Sequence, residues 1–217
     1  MDCYALWDRY IHYTNVSGVN IDEDEVASGF DTSHNHIVFA GENQKLDFSK
    51  NWELVIKVKT GSDVSTNQEI FGTDGGADME FGVIRDIHGV DRFGWELITG
   101  WNGGVDGGIP GTVVEVKPTT EYIVKVCHTP VSSISHHFDC YVLDNTTHEW
   151  ILDKSGTRNN VSYQRGNFVL GVDMDNSVEY WRGSIYLRES YIIVEGVKYN
   201  FRKKTTATIT FNGNGNG

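Results

Sequence analysis

Alternation of apolar and polar residues predicts β-strands along most of the chain. In residues 52–59, Trp52, Leu54, Ile56 and Val58 share one face, whereas most of the other face is charged. Residues 121–126 alternate in the same way. Four further strands are predicted between turns rich in Gly, Asn and Asp, at Phe93–Ile98, Val113–Val116, Phe138–Leu143 and Phe168–Val172. This pattern is typical of two antiparallel sheets packed face to face.

The N-terminal segment follows a different period. Tyr4, Trp7, Tyr10 and Tyr13 recur every three residues, which predicts a short arm or amphipathic helix with an aromatic stripe. The stripe either packs on its own sandwich or docks on a neighbouring subunit as an assembly arm. We therefore divide the chain into an aromatic arm and acidic connector (1–24), a sandwich (25–204), and an edge strand with a flexible Gly/Asn tail (205–217).

Composition narrows the possible partners. The chain has 217 residues and a net charge of −12, from 30 acidic and 18 basic residues. Scattered basic residues in an acidic chain argue against nucleic acid as a partner. The sequence contains neither a stretch of transmembrane length nor a secretory signal, so we expect synthesis in a cytoplasm and no membrane insertion.

An odd number of cysteines, three, argues against a disulfide framework. Cys127 and Cys140 fall nearly opposite each other if the strands around them are antiparallel neighbours. A cross-strand disulfide is then geometrically possible, and two free buried thiols are the alternative.

The closing part of the chain carries a family resemblance. Segments 166–173 and 180–194 contain an apolar strand that ends in Gly-Val-Asp, an aromatic pair before Gly183-Ser184, and two further strands. This arrangement resembles the concanavalin A-like, or laminin G-like, jelly roll, particularly that of bacteriophage tail, fibre and head-decoration proteins. The resemblance implies an all-β, two-sheet antiparallel jelly-roll sandwich. It also implies a place in the virion, as a homo-oligomer or within a large assembly, with contacts to other virion proteins and to host-surface glycans.

Two functional classes remain open, and neither of them is an enzyme. The first is a non-enzymatic virion structural protein, and the second is a carbohydrate-binding, lectin-type module. Glycan hydrolysis needs two carboxylates at a set separation on one face. The only dense acidic run, residues 22–25, lacks suitable spacing, so we expect the chain not to be an enzyme.

The candidate glycan site is the Gly-rich loop at residues 99–108. Trp101 offers a flat apolar surface for a sugar ring, and Asn102 and Asp106 can bond hydroxyl groups. The alternative is an ordinary loop whose tryptophan folds back on the sheet.

One candidate cation site follows the Gly-Val-Asp strand. Asp173, Asp175 and Asn176 supply three oxygen ligands within four residues, which suits Ca²⁺. No other cofactor is expected. The Cys and His residues between 127 and 140 have a spacing that fits none of the familiar structural zinc arrangements.

Overall fold

The computed structural model describes residues 9–13, 15–32, 34–41, 44–76, 78–85, 88–98, 109–172 and 179–203. These residues form β-strands and one short 3₁₀ helix, η1 (Leu187–Glu189). The strands in chain order are β1 (Arg9–Tyr13), β2 (Asn15–Ser17), β3 (Asn20–Ile21), β4 (Val26–Ser28), β5 (His36–Phe39), β6 (Leu46–Asp47), β7 (Trp52–Lys59), β8 (Gln68–Thr73), β9 (Asp78–Arg85), β10 (Asp91–Ile98), β11 (Ile109–Pro110), β12 (Glu121–Ser132), β13 (Ser135–Leu143), β14 (Trp150–Asn159), β15 (Arg165–Gly166), β16 (Phe168–Leu170), β17 (Ser184–Tyr186), β18 (Tyr191–Val194) and β19 (Val197–Lys203).

Two large sheets form the predicted sandwich. The larger sheet has the order β1-β19-β18-β7-β12-β13-β14, with β17, β4 and β3 attached beside β7. The second sheet has the order β11-β10-β9-β8-β16-β5-β2, and β6 pairs with β15 separately. The core lies between the sheets and is rich in aromatic rings, among them Phe39 and Phe168, which stack at 4.4 Å between centroids.

The strands predicted from strict alternation are confirmed. β7 has the predicted bounds, and its four apolar alternate residues are buried. β12 contains the predicted segment 121–126 and pairs antiparallel with both β7 and β13. Alternation succeeds here because one face of each strand packs on the core and the other meets solvent.

The N-terminal residues that the structure describes form a strand, so the helix alternative of the predicted arm or helix is wrong. Ile11 and Tyr13 are buried whereas Tyr10 is 37% exposed, so the true period is two. β1 runs parallel to β19, and the Tyr13 ring packs edge-on against Phe39 at 6.0 Å. A spacing of three between tyrosines also fits a strand that has a partner, because tertiary pairing overrides local period. Tyr4 and Trp7 lie outside the described residues.

The strand predicted at residues 113–116 is also wrong. The backbone N–H groups of Val113 and Val114 donate to Oδ1 of Asp153, at 2.7 and 2.8 Å, and not to a neighbouring strand. Asp153 is buried on β14, so its carboxylate holds these residues as a loop. Among the described residues, none forms a helix long and apolar enough to cross a membrane.

Candidate functional site

The closing motif builds one wall of a surface pocket. Trp181 is fully buried; its backbone N–H donates to the Gly171 carbonyl at 3.0 Å and its indole N–H to the Ser184 carbonyl at 3.4 Å. Successive residues of an extended chain point in opposite directions. Tyr180 and Arg182, on either side of this anchor, are therefore half-buried at the surface.

The turn after β7 builds the second wall. Oδ1 of Asp63 accepts hydrogen bonds from the backbone N–H and hydroxyl of Ser65, and Oδ2 lies 2.6 Å from Nη1 of Arg182. The two hydrogen bonds from Ser65, followed by the Arg182 charge, hold the pKa of Asp63 below its usual value. The Arg182 guanidinium also lies over the Tyr180 ring, 5.2 Å from its centroid.

A buried amide fixes these two walls relative to each other. Gln68, at the start of β8, is 0% exposed. Its Nε2 donates to the Asp63 carbonyl at 2.8 Å, and its Oε1 accepts the Arg182 backbone N–H at 3.1 Å. Since each end of the amide has a partner, Gln68 can be buried at little cost and positions both charged residues.

The third wall is the segment Gly29–Asp31. Phe30 is buried, and Oδ1 of Asp31 accepts a hydrogen bond of 2.6 Å from Nδ2 of Asn35. The same Nδ2 donates to the Gly29 carbonyl at 2.7 Å. Gly29 has φ of +85°, a conformation that favours glycine.

We call the space between these walls the Arg182 pocket. Its volume is about 460 Å³, and its lining includes Asp31, Ser62, Asp63, Tyr180 and Arg182. An aromatic ring, a guanidinium and two carboxylates thus converge on a cavity large enough for a small ligand. Sequence reasoning noted the Tyr180–Gly183 motif only as a fold signature and missed the pocket, because its other residues lie far away in the chain.

A second pair of acidic residues lies on the face of the second sheet that is turned away from the core. Glu69 pairs with Gly82, and Glu80 pairs with Gly72, on the neighbouring strands β8 and β9. Phe81 and Val83 alternate with these positions and point into the core, so both carboxylates belong to the opposite face. A register shift between Glu69 and Phe71 interrupts the pairing of the two strands at this point. Glu69 is 1% exposed and Glu80 3% exposed.

The predicted ligand residues lie outside the described part of the chain. These are Trp101, Asn102 and Asp106 of the glycan loop, and Asp173, Asp175 and Asn176 of the calcium loop. They remain predictions. The residues that flank the calcium loop, Val172 and Tyr180, pair with each other, and Tyr180 lines the Arg182 pocket.

The Cys and His residues between 127 and 140 do not converge. His128 and His136 are buried and share a hydrogen bond of 2.9 Å, whereas His137 bonds Thr157 and Asp139 near the surface. Cys127 lies opposite Asp139, and Cys140 opposite Val126, so the two cysteines point to different faces and both are free. Within the described residues, no group of three or more His, Cys, Asp or Glu side chains is arranged to hold a metal ion.

Comparison with known proteins places the chain by its fold. No protein-family model matches the sequence, and no curated protein matches it. Domain 4 of AbnA, an extracellular GH43 arabinanase from Geobacillus stearothermophilus solved with arabinotriose, is similar with a TM-score of 0.51 and 11% identity, covering 86% of this chain and 79% of that one. At this identity, the likeness establishes a shared β-sandwich fold.

Two further solved structures resemble the chain less well. Alginate lyase Aly36B has a TM-score of 0.48 and 13% identity, with coverage of 91% of this chain and 97% of that one. The enzymatically active domain of tailspike protein 2 from bacteriophage CBA120 has a TM-score of 0.48 and 11% identity; the match covers 88% of this chain but only 30% of the tailspike chain.

The expectation that the chain is not an enzyme is contradicted. It rested on the lack of a carboxylate pair at a suitable separation. Domain 4 of AbnA, which shares the fold, belongs to an arabinanase. The sequence argument also overlooked Glu69 and Glu80, two buried carboxylates on one face of neighbouring strands.

Proposed function

We propose that the chain is a carbohydrate-binding β-sandwich that holds a sugar residue in the Arg182 pocket. The observation that carries this proposal is the convergence of Tyr180, Arg182, Asp63 and Asp31 on one cavity. The fold similarity to an arabinanase domain solved with arabinotriose supports it.

The chemistry of the pocket suits a polyhydroxylated ring. The edge or free face of Tyr180 offers apolar contact to sugar C–H groups. Carboxylate oxygens of Asp31 and Asp63 accept hydrogen bonds from hydroxyls, and the Arg182 guanidinium, which already bonds Asp63 through Nη1, has further N–H groups to donate. Because Gln68, Ser65 and Asn35 fix the main polar groups beforehand, little ordering is needed when a ligand binds.

The binding test uses immobilised neutral oligosaccharides, including arabinotriose, galactan, mannan and dextran fragments. We expect Arg182→Ala and Tyr180→Ala each to weaken retention at least about tenfold, because each removes a direct ligand contact. Arg188→Ala is the matched control, since Arg188 is another exposed arginine with acidic neighbours, Asp24 and Glu25, away from the pocket. Unchanged retention by both pocket variants would refute the site.

The Trp101 loop is the alternative ligand site within the same function. The variant Trp101→Ala, tested on the same oligosaccharides, distinguishes this loop from the Arg182 pocket as the ligand site. Loss of retention in Trp101→Ala with normal retention in Arg182→Ala would move the site to that loop.

For biological setting, we propose a bacteriophage virion, on the resemblance of the closing strands to phage jelly rolls. The partners would be other virion proteins and host-surface glycans, with the chain as a homo-oligomer or part of a large assembly. Tyr10 is the described arm residue that remains exposed, and Arg202 lies over its ring at 4.6 Å. Light scattering of Tyr10→Ala tests the arm without removing β1. An oligomer that becomes a monomer supports an assembly role, and an unchanged mass argues against one.

A second candidate function is glycan cleavage by Glu69 and Glu80, which are not among the described residues that line the Arg182 pocket. Glycoside hydrolysis generally requires a pair of carboxyl groups on one face of the site. Release of reducing ends from the retained oligosaccharide would reveal cleavage, and Glu69→Gln and Glu80→Gln should each abolish it. Glu149→Gln, at an exposed position, is the control. Activity that survives both substitutions would exclude this pair.

A further inference from the structure

We infer that the Arg182 pocket selects neutral or amino-bearing sugars and rejects acidic ones. This inference rests on the proposed carbohydrate-binding function and adds the charge class of the ligand. It follows from the balance of fixed charges around the cavity.

The only cation lining the pocket among the described residues is already engaged. Arg182 is 2.6 Å from Oδ2 of Asp63, and the Ser65 hydrogen bonds help to keep that carboxyl ionised. The Arg182 and Asp63 charges therefore offset each other. To bind the Arg182 guanidinium, the carboxylate of a uronic acid would have to compete with the carboxylate of Asp63.

Asp31 supplies a negative charge with no such counterpart. Its Oδ1 accepts a hydrogen bond from the neutral amide of Asn35, and none of the ion pairs among the described residues includes it. The cavity is thus lined by two carboxylates and one guanidinium, with a net charge of one negative unit.

This balance discriminates by charge. A carboxylate brought within a few ångströms of Asp31 is repelled, whereas a hydroxyl can donate to it and an ammonium group is attracted. We expect an acidic oligosaccharide to bind about tenfold or more weakly than its neutral counterpart.

The experiment compares sugars that differ mainly in charge. Binding is measured by titration calorimetry at low ionic strength in the presence of EDTA, which removes divalent ions that could bridge two carboxylates. The probes are galactan against oligogalacturonate and mannan against oligomannuronate, each of matched length, with a glucosamine oligomer as the cationic probe. Neutral and cationic probes should bind, and the acidic member of each pair should bind about tenfold more weakly.

Asp31→Asn tests the cause, because it removes the charge and keeps an oxygen for Asn35. It should narrow the gap between acidic and neutral probes, because the acidic probe is freed from repulsion while the neutral probe loses a charged hydrogen-bond acceptor. Glu149→Gln changes the net charge by the same amount at an exposed position away from the pocket, and it should leave the gap as it is.

Each outcome decides something. Acidic probes that bind as well as neutral ones, or a gap that Asp31→Asn does not alter, would overturn the inference while leaving carbohydrate binding intact. A failure of every probe to bind would instead overturn the proposed function, and the charge preference with it.

Discussion

Buried polar side chains lie near both ends of β7, and they are stabilised in two different ways. Beyond its C-terminal end, the amide of Gln68 has a partner for its donor and for its acceptor. At its N-terminal end, Trp52 stacks on His128, which is joined to His136. An amide stays neutral at every pH, whereas an imidazole titrates. The hydrogen bonds of Gln68, near the C-terminal end, are therefore insensitive to pH. The histidine pair at the N-terminal end can be disrupted by acid.

Hydrogen bonding fixes the proton positions of the histidine pair. Nδ1 of His128 lies 2.7 Å from the Lys50 carbonyl, which can only accept, so Nδ1 carries the proton. Burial lowers the pKa of His128 to about 4, so the ring is neutral and its Nε2 accepts from Nδ1 of His136. Burial also lowers the pKa of His136, whose Nε2 is buried.

The largest predicted effect is acid sensitivity at the histidine end. Above pH 6.5 His128 is neutral in both the folded and unfolded states. As the pH falls from 6.5 towards 4, the unfolded chain binds a proton that the folded chain does not, so the free energy of unfolding drops by about 3 kcal/mol. Urea unfolding followed by tryptophan fluorescence at pH 7, 5.5 and 4.5 measures this drop.

The double variant His128→Phe with His136→Phe isolates that contribution. Carboxylates elsewhere also respond to acid, so the readout is the difference in pH slope between the wild type and the variant. The variant should lose less stability between pH 7 and 4.5. Equal slopes would show that the histidine pair does not titrate as described.

The second predicted effect concerns Gln68. Gln68→Leu leaves the Asp63 carbonyl and the Arg182 N–H without their buried partner, which should lower the free energy of unfolding by about 1–3 kcal/mol. Unlike the histidine effect, this loss should be the same at pH 7 and pH 4.5. Retention on neutral oligosaccharides should fall as well, because both charged walls lose their support.

Gln164→Leu serves as the comparison for Gln68, since Gln164 is exposed. Its substitution should change stability by less than about 0.5 kcal/mol. A loss at Gln68 no greater than that at Gln164 would mean that the amide does not position the pocket.

The smallest predicted effect concerns the cysteines Cys127 and Cys140, on the neighbouring strands β12 and β13. Cys127 and Cys140 point to different faces, and burial, aided by the charge of Glu53, raises the pKa of Cys127 to about 11. Adding a reducing agent should therefore leave the melting temperature unchanged. Thiol titration of the unfolded, unreduced protein should count more than one thiol per chain, because a Cys127–Cys140 disulfide would leave only Cys3. A clear drop in melting temperature on reduction would contradict the structure.

The sequence predicted the parts of the molecule that obey a local rule. β7 and β12 alternate strictly because each has one face on the core, and the structure confirms them. Residues 113–116 have a similar apolar pattern, but the partner that decides their conformation is Asp153, some 40 residues away. Tyr10 and Tyr13 fit a helical spacing, yet pairing with β19 makes them part of a strand.

The candidate site was harder to predict for the same physical reason. Asp31, Asp63 and Arg182 come from three distant segments, and no single motif contains them. Only the Tyr180–Gly183 segment stood out in sequence. The pairing of Gln68 with both walls depends on the tertiary fold, which local spacing does not reveal.

The pairing of β1 with β19 has a consequence for how the molecule is made. Arg9 is paired with Tyr199, so the two strands are brought together by closing a loop of 190 residues. Contacts between residues so far apart in sequence form slowly, because the conformational entropy of the intervening chain is lost before these contacts stabilise the fold. On the ribosome, β19 emerges last of the strands described here, and β18 and β1 flank it in the sheet. Until then, the growing chain presents the edge of β18 and the buried faces of Ile11 and Tyr13 to the surrounding solution. A chaperone that shields exposed strand edges during synthesis should therefore raise the yield of folded protein more than one that acts after release.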